Sequence, residues 1–155
     1  MTQVQPIPPG FHTVTPHLVV KNSLEAIEFY KRAFSAESLR VHQSEGGPVM
    51  HAMVSIGNSF VMLNDEFPEH GVTAPSPEGS GVTLHLFVED VDAAFRQAVD
   101  AGANTIMPPD DMFWGDRYAI VKDPFGHKWS IATHVEDVPE DEMNERAKQA
   151  FSPEC

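Results

Sequence analysis

The strongest constraint on this chain is a repetition inside it. Val14-Thr15-Pro16-His17-Leu18-Val19-Val20 and Val82-Thr83-Leu84-His85-Leu86-Phe87-Val88 agree at five of seven positions, 68 residues apart. Both runs are rich in β-branched residues and read as strands. The segments after the two strands are also alike. Asn22 and Glu25 stand at capping-box spacing, and Ala26, Ile27, Tyr30, Ala33 and Phe34 recur at helical intervals. In the second copy Asp90 caps a helix with an apolar face of Val91, Ala94, Phe95 and Ala98, and Gly102 supplies its left-handed stop. Extended segments come next, at 37–43, 49–56 and 59–64 in the first half and 104–107, 117–122 and 128–134 in the second. The duplication predicts an α+β fold of two βαβββ modules, 11–65 and 82–135. A linker broken by Pro68, Pro75 and Pro77 covers 66–81, and a C-terminal helix and tail cover 136–155.

A chain of 155 residues allows each half only a small core, so the halves are expected to pack together or to pair with another chain. Its net charge of −13 repels phosphate backbones and anionic lipid, which argues against nucleic acid as a partner. No apolar run approaches the roughly 18 residues of a membrane helix, and residues 2–10 have neither a basic start nor an apolar stretch. A cytoplasmic protein without a membrane partner is the expectation. Glu136, Asp137, Glu140, Asp141, Glu142 and Glu145 read as a solvated helix face. The single cysteine, Cys155, is the last residue and offers neither an intramolecular disulfide nor a cysteine metal cluster.

Side chains alternate along a strand, so Thr15, His17 and Val19 share one face, as do Thr83, His85 and Phe87. By the same parity Phe60, Met62 and Asn64 stand together, and so do Lys128, Ser130, Ala132 and His134, leaving Val61, Leu63, Trp129 and Ile131 for the helices. His51, Met53 and Ser55 oppose Ala52, Val54 and Ile56. One face of each sheet is therefore apolar and the other mixes histidine, methionine and small polar groups, the composition of a small-molecule pocket. His17 and His85 are either pocket groups or histidines satisfied by their neighbours. His12, His42 and His70 lack that repeat support and read as surface residues.

The loop 108–117 joins two strands and carries Phe113, Trp114, Asp116 and Arg117. Two readings stand. In one the loop is a lid, with Trp114 stacking on a ligand and Arg117 holding an anionic group through paired hydrogen bonds. In the other it is a turn pinned by an Asp116–Arg117 contact, with its aromatics over the core.

The turn Asp123-Pro124-Phe125-Gly126 before the last strand resembles the Asp-Pro-x-Gly turn of the vicinal-oxygen-chelate superfamily, which includes glyoxalases, bleomycin resistance proteins and dioxygenases. Together with 10–34, 49–65, 81–102 and 113–117, it resembles the PhnB-like branch over most of 10–137. The resemblance implies paired curved mixed sheets with helices on their outer faces. It also implies a divalent metal held by four positions on the first, fourth, fifth and eighth strands. Local matching puts Thr15, Met62, Thr83 and Ser130 at those positions, and none is a good ligand for nickel or zinc.

The expectation is therefore a homodimeric protein that binds a small organic ligand in a β-cup without a metal. His17, His51, Met62, Asn64, His85, Trp114, Arg117, Ser130 and His134 are its expected lining. The alternative is a lyase, isomerase or dioxygenase with one divalent metal ion relocated to His17 and His85, and His51 or His134 as a third ligand. A further alternative is acid/base catalysis by a pocket histidine, with Arg117 stabilising an anion.

Overall fold

A computed structural model of the chain describes residues 3–150, which leaves Cys155 outside. The chain divides into two compact units, residues 1–79 and 80–155. In the first, β1 (His17–Val20) leads through α1 (Ser23–Phe34) to β2 (Glu37–Gln43), β3 (Val49–Ile56) and β4 (Ser59–Asp65). The second repeats this order with β5 (Thr83–Phe87), α2 (Val91–Ala101), β6 (Asn104–Asp111), β7 (Asp116–Lys122) and β8 (Lys128–His134), and ends in α3 (Glu140–Ala150). The sheets have the orders β1-β4-β3-β2 and β5-β8-β7-β6, with the first pair of each parallel and the others antiparallel. This is the predicted α+β fold of two βαβββ modules.

Each helix lies on one face of its own sheet, α1 against β2, β3 and β4 and α2 against β6, β7 and β8. The buried side chains follow strand parity: Leu18, Val20, Ala52, Val54, Val61 and Leu63 with Ala26, Ile27 and Tyr30 in the first module, and Ala119, Val121, Trp129 and Ile131 with Val91 and Ala98 in the second. Each large side chain buried in this way contributes about 1.5–3 kcal/mol. The caps match the sequence reading, since Asn22 Oδ1 accepts from Glu25 N at 3.2 Å and Asp90 Oδ1 accepts from Ala93 N at 3.1 Å.

The repeat extends to a device that ties strand to helix. Asp65 at the end of β4 accepts from Ser23 N at 2.7 Å and from Val49 N at 2.9 Å. At the equivalent place in the second module the Thr133 hydroxyl accepts from Val91 N at 2.8 Å and donates to Val88 O at 3.0 Å. Both serve a first-turn amide that the helix itself leaves unpaired. The Asp-Pro-Phe-Gly turn is held by Asp123, whose carboxylate accepts from Phe125 N, His127 N and the Trp129 indole, each at 2.9 Å.

Three boundaries differ from the sequence reading by more than one residue. β1 starts at His17, so Thr15 lies in the preceding coil, where its hydroxyl reaches His12 O at 3.5 Å. β6 runs through Pro108 and Pro109 to Asp111. It is an edge strand with register shifts against β7, where a proline's missing donor is tolerated. Finally, the first part of the expected linker is ordered within the first unit. Phe67 and Val72 bridge around a single 3₁₀ turn, Pro68–His70, and Gly71 closes it in the left-handed region at φ 76°.

Candidate functional site

In the first module the face of the sheet away from α1 carries His17, Val19, Phe60, Met62 and Asn64. The register sets His17 beside Met62 and Val19 beside Asn64. A bulge in β3 adds to this face. His42 pairs with His51 and Gln43 with Val49, so Met50 is the extra residue and joins His51 on the open side, while Val49 and Ala52 stay buried. The Phe67–Val72 turn supplies a second wall. Between turn and sheet lies a cavity of about 800 Å³ lined by His17, Val19, Met50, Asn64, Phe67, Glu69, His70 and Val72. Its walls are apolar apart from two imidazoles, an amide and a carboxylate, and it is large enough for a small organic molecule.

Asn64 orients the histidine on this wall. Its Nδ2 donates to Asp65 O at 2.7 Å, which turns Oδ1 toward His17 Nε2 and makes that nitrogen the donor. His51 lies 6.1 Å from His17 and 6.1 Å from His42, centroid to centroid. Its pKa is lowered by burial first and then by Arg40, His17 and His42.

The second module has a different open face. His85 pairs with Ser130 in the register, and its Nδ1 is 2.6 Å from the Ser130 hydroxyl. Its ring meets Phe87 at 4.5 Å and Tyr118 at 5.9 Å; Trp114 meets Tyr118 at 5.5 Å and Phe113 at 5.1 Å.

In the 108–117 loop two expectations are corrected, Arg117 turned toward a ligand and the Asp116–Arg117 contact. Arg117 pairs with Thr133 in the register, on the helix side of the sheet. Its guanidinium donates to both oxygens of Asp92 in α2, at 2.8 and 3.1 Å, and to Asp111 at 3.2 Å. It is therefore engaged with carboxylates away from the open face. The turn is not pinned by an Asp116–Arg117 contact either: Asp116 accepts from the Trp114 indole at 3.0 Å and from His134 Nδ1 at 2.7 Å. His134 Nε2 reaches Asp137 at 2.7 Å, and the bonds to Asp137 and then Asp116 raise its pKa. With both nitrogens facing carboxylates, His134 is placed as a donor and not as a metal ligand.

The structure thus brings His17, His51, Met62 and Asn64 together on one sheet, and His85 with Ser130 and the Trp114–Tyr118 pair on the other. The sequence reading does not place Met50, Phe67, Glu69 and Val72 at the site; it sets Val19 on the open face but not in the lining, and His70, read as a surface residue, lines the cavity. The signal for the turn was the Pro68-Glu69-His70-Gly71 run between two apolar residues, whereas nothing in the alternation announces the bulge at Met50.

The family's divalent metal does not fit these residues. Thr15 is off the strand, Met62 faces His17, Thr83 pairs with Lys128, and the Ser130 hydroxyl is engaged by His85. Among the described residues no group of three or more His, Cys, Asp or Glu side chains is placed to hold a metal ion.

Comparison with known proteins gives a consistent picture. Residues 10–131 match the family model of the Glyoxalase/Bleomycin resistance protein/Dioxygenase superfamily. An uncharacterized protein of Mycobacterium bovis is 43% identical over 134 residues, covering 84% of this chain and 88% of that protein. The crystal structure of an Arabidopsis thaliana gene product is similar at 31% identity with a TM-score of 0.64, covering 79% of this chain and 98% of that one. TioX from Micromonospora is similar at 25% identity with a TM-score of 0.65, covering 81% of this chain and 100% of that one.

Proposed function

Because this chain belongs to the Glyoxalase/Bleomycin resistance protein/Dioxygenase superfamily, and because the family's metal-ligand positions hold the wrong chemistry here, we propose that it binds a small organic ligand without a metal. The observation that carries this reading is the cavity of about 800 Å³ between the first sheet and the 67–72 turn. Val19, Met50, Phe67 and Val72 would hold an apolar body, and His17, Asn64, Glu69 and His70 would fix its orientation. On this reading Met62 and His51 extend the binding face along the sheet, and His85, Trp114 and Ser130 form a second polar and aromatic face in the other module. The 113–117 stretch supports placing the protein in the PhnB-like branch, and we place its assembly as a homodimer.

The test is native mass spectrometry and elemental analysis of untagged protein after exposure to a small-molecule extract. The reading expects a bound organic mass and no stoichiometric metal. Near-stoichiometric iron, zinc, nickel or manganese, lost on His17→Gln/His85→Gln, would favour the relocated-metal enzyme. Light scattering at micromolar concentration tests the assembly, and a monomer would contradict it.

A further inference from the structure

The first sheet holds a concentration of basic groups that the cavity alone does not use. Arg40 on β2 pairs with Met53 in the register, and its guanidinium reaches only the Met53 sulfur, at 3.7 Å. Arg117 and Arg146 are each held by two carboxylates, whereas among the described residues Arg40 has none within ion-pair distance. His42, next along the same face, stacks on His51, and His51 meets His17 on the cavity wall. An unneutralised guanidinium and a row of imidazoles therefore run along the open face beside the cavity and meet its wall at His17, in a chain whose net charge is −13.

The acidic groups nearby are accounted for. Glu37 shares this face with Arg40, opposite Ser55 in the register, and Glu45 lies in the β2–β3 turn beyond His42, but among the described residues neither is within ion-pair distance of Arg40. Asp65 is bound to Ser23 N and Val49 N, and Glu66 accepts from Ala74 N at 2.8 Å. Glu69 lines the cavity from the turn, beside His70 and across from the sheet wall. The electrostatic asymmetry thus runs from a carboxylate on the turn to a guanidinium on the sheet.

We propose that the ligand of this cavity is an organic acid, its apolar body against Val19, Met50, Phe67 and Val72 and its carboxylate, or an equivalent oxyanion, directed along the sheet toward His17, His51, His42 and Arg40. Arg40 provides the planar pair of donors that a carboxylate matches. Glu69 enforces the direction, since it repels an anion placed at the turn. This inference rests on the cavity being the ligand site, and its test separates the two claims.

The experiment is a fluorescence titration of wild type and Arg40→Gln with three probes sharing one ring: 1-naphthylacetate, 2-(1-naphthyl)ethanol and 2-(1-naphthyl)ethylamine. The acid should bind wild type about tenfold more tightly than the alcohol, with the amine weakest. Arg40→Gln should remove most of the acid's advantage and leave the alcohol unchanged. If the alcohol binds as well as the acid, or the amine binds best, the cavity is a ligand site but the acid assignment is overturned. Arg40→Gln weakening all three probes alike would also overturn it. If no probe binds, both the assignment and the binding reading fall.

Discussion

Asn64 fixes the tautomer of His17: its amide donates to Asp65 O, so its oxygen faces His17 Nε2 and holds that nitrogen in the protonated form. In the neutral ring Nδ1 is then left as the acceptor. Nitrogen-15 NMR of the neutral side chain should report the Nε2–H tautomer. Asn64→Ala should abolish that preference and destabilise the protein by about 1–2 kcal/mol, because the amide is almost fully buried.

Asp123 is 2% exposed and satisfies three donors, including the indole of Trp129 in the second core. Asp123→Ala removes the carboxylate that accepts from all three and should cost about 3 kcal/mol. Urea unfolding measures this, and a loss below about 1 kcal/mol would show that the Asp-Pro-Phe-Gly turn is not held as described.

Ser23 illustrates the opposite case. Its backbone amide is satisfied by Asp65, but its hydroxyl is buried without a hydrogen-bond partner, and the repeat has Val91 at the same place. Ser23→Ala should therefore stabilise the protein by about 1 kcal/mol, read as a higher urea midpoint at unchanged slope.

The His134 bonds to Asp137 and Asp116 predict a pH dependence with a definite sign. A histidine whose folded pKa is raised contributes stability that is fully present below its unfolded value, about 6.5, and is lost as pH rises through the folded value. The melting temperature of wild type should exceed that of His134→Gln at pH about 6, and the gap should close toward pH about 9. A gap that widens with pH would reverse the assignment.

Legibility in the sequence tracks periodicity. The duplicated strands around His17 and His85, the helix caps at Asn22 and Asp90 and the parity that put Met62 and Asn64 on the open face all come from spacing, and the structure agrees. The cavity itself was not legible. It depends on a bulge that brings Met50 onto the His51 side, and on a turn that folds Phe67 and Val72 back within a segment whose prolines read only as a linker. Arg117 was misread for a related reason. Its partner, Asp92, is 25 residues away on α2, although the parity of 117–122 already sets Arg117 on the side of the buried Ala119 and Val121.

If the cavity in the first module binds an organic ligand without a metal, filling the cavity abolishes that binding. Val19 points into the cavity from β1, so Val19→Trp should occupy the space while leaving the buried face of the strand untouched. Titration with 2-(1-naphthyl)ethanol in excess EDTA is the measurement. Saturable binding to wild type, abolished in a Val19→Trp protein with an unchanged circular dichroism spectrum, is the predicted result. Binding that appears only when a divalent metal is restored would make the site metal-dependent, and binding that survives Val19→Trp intact would place the ligand outside this cavity.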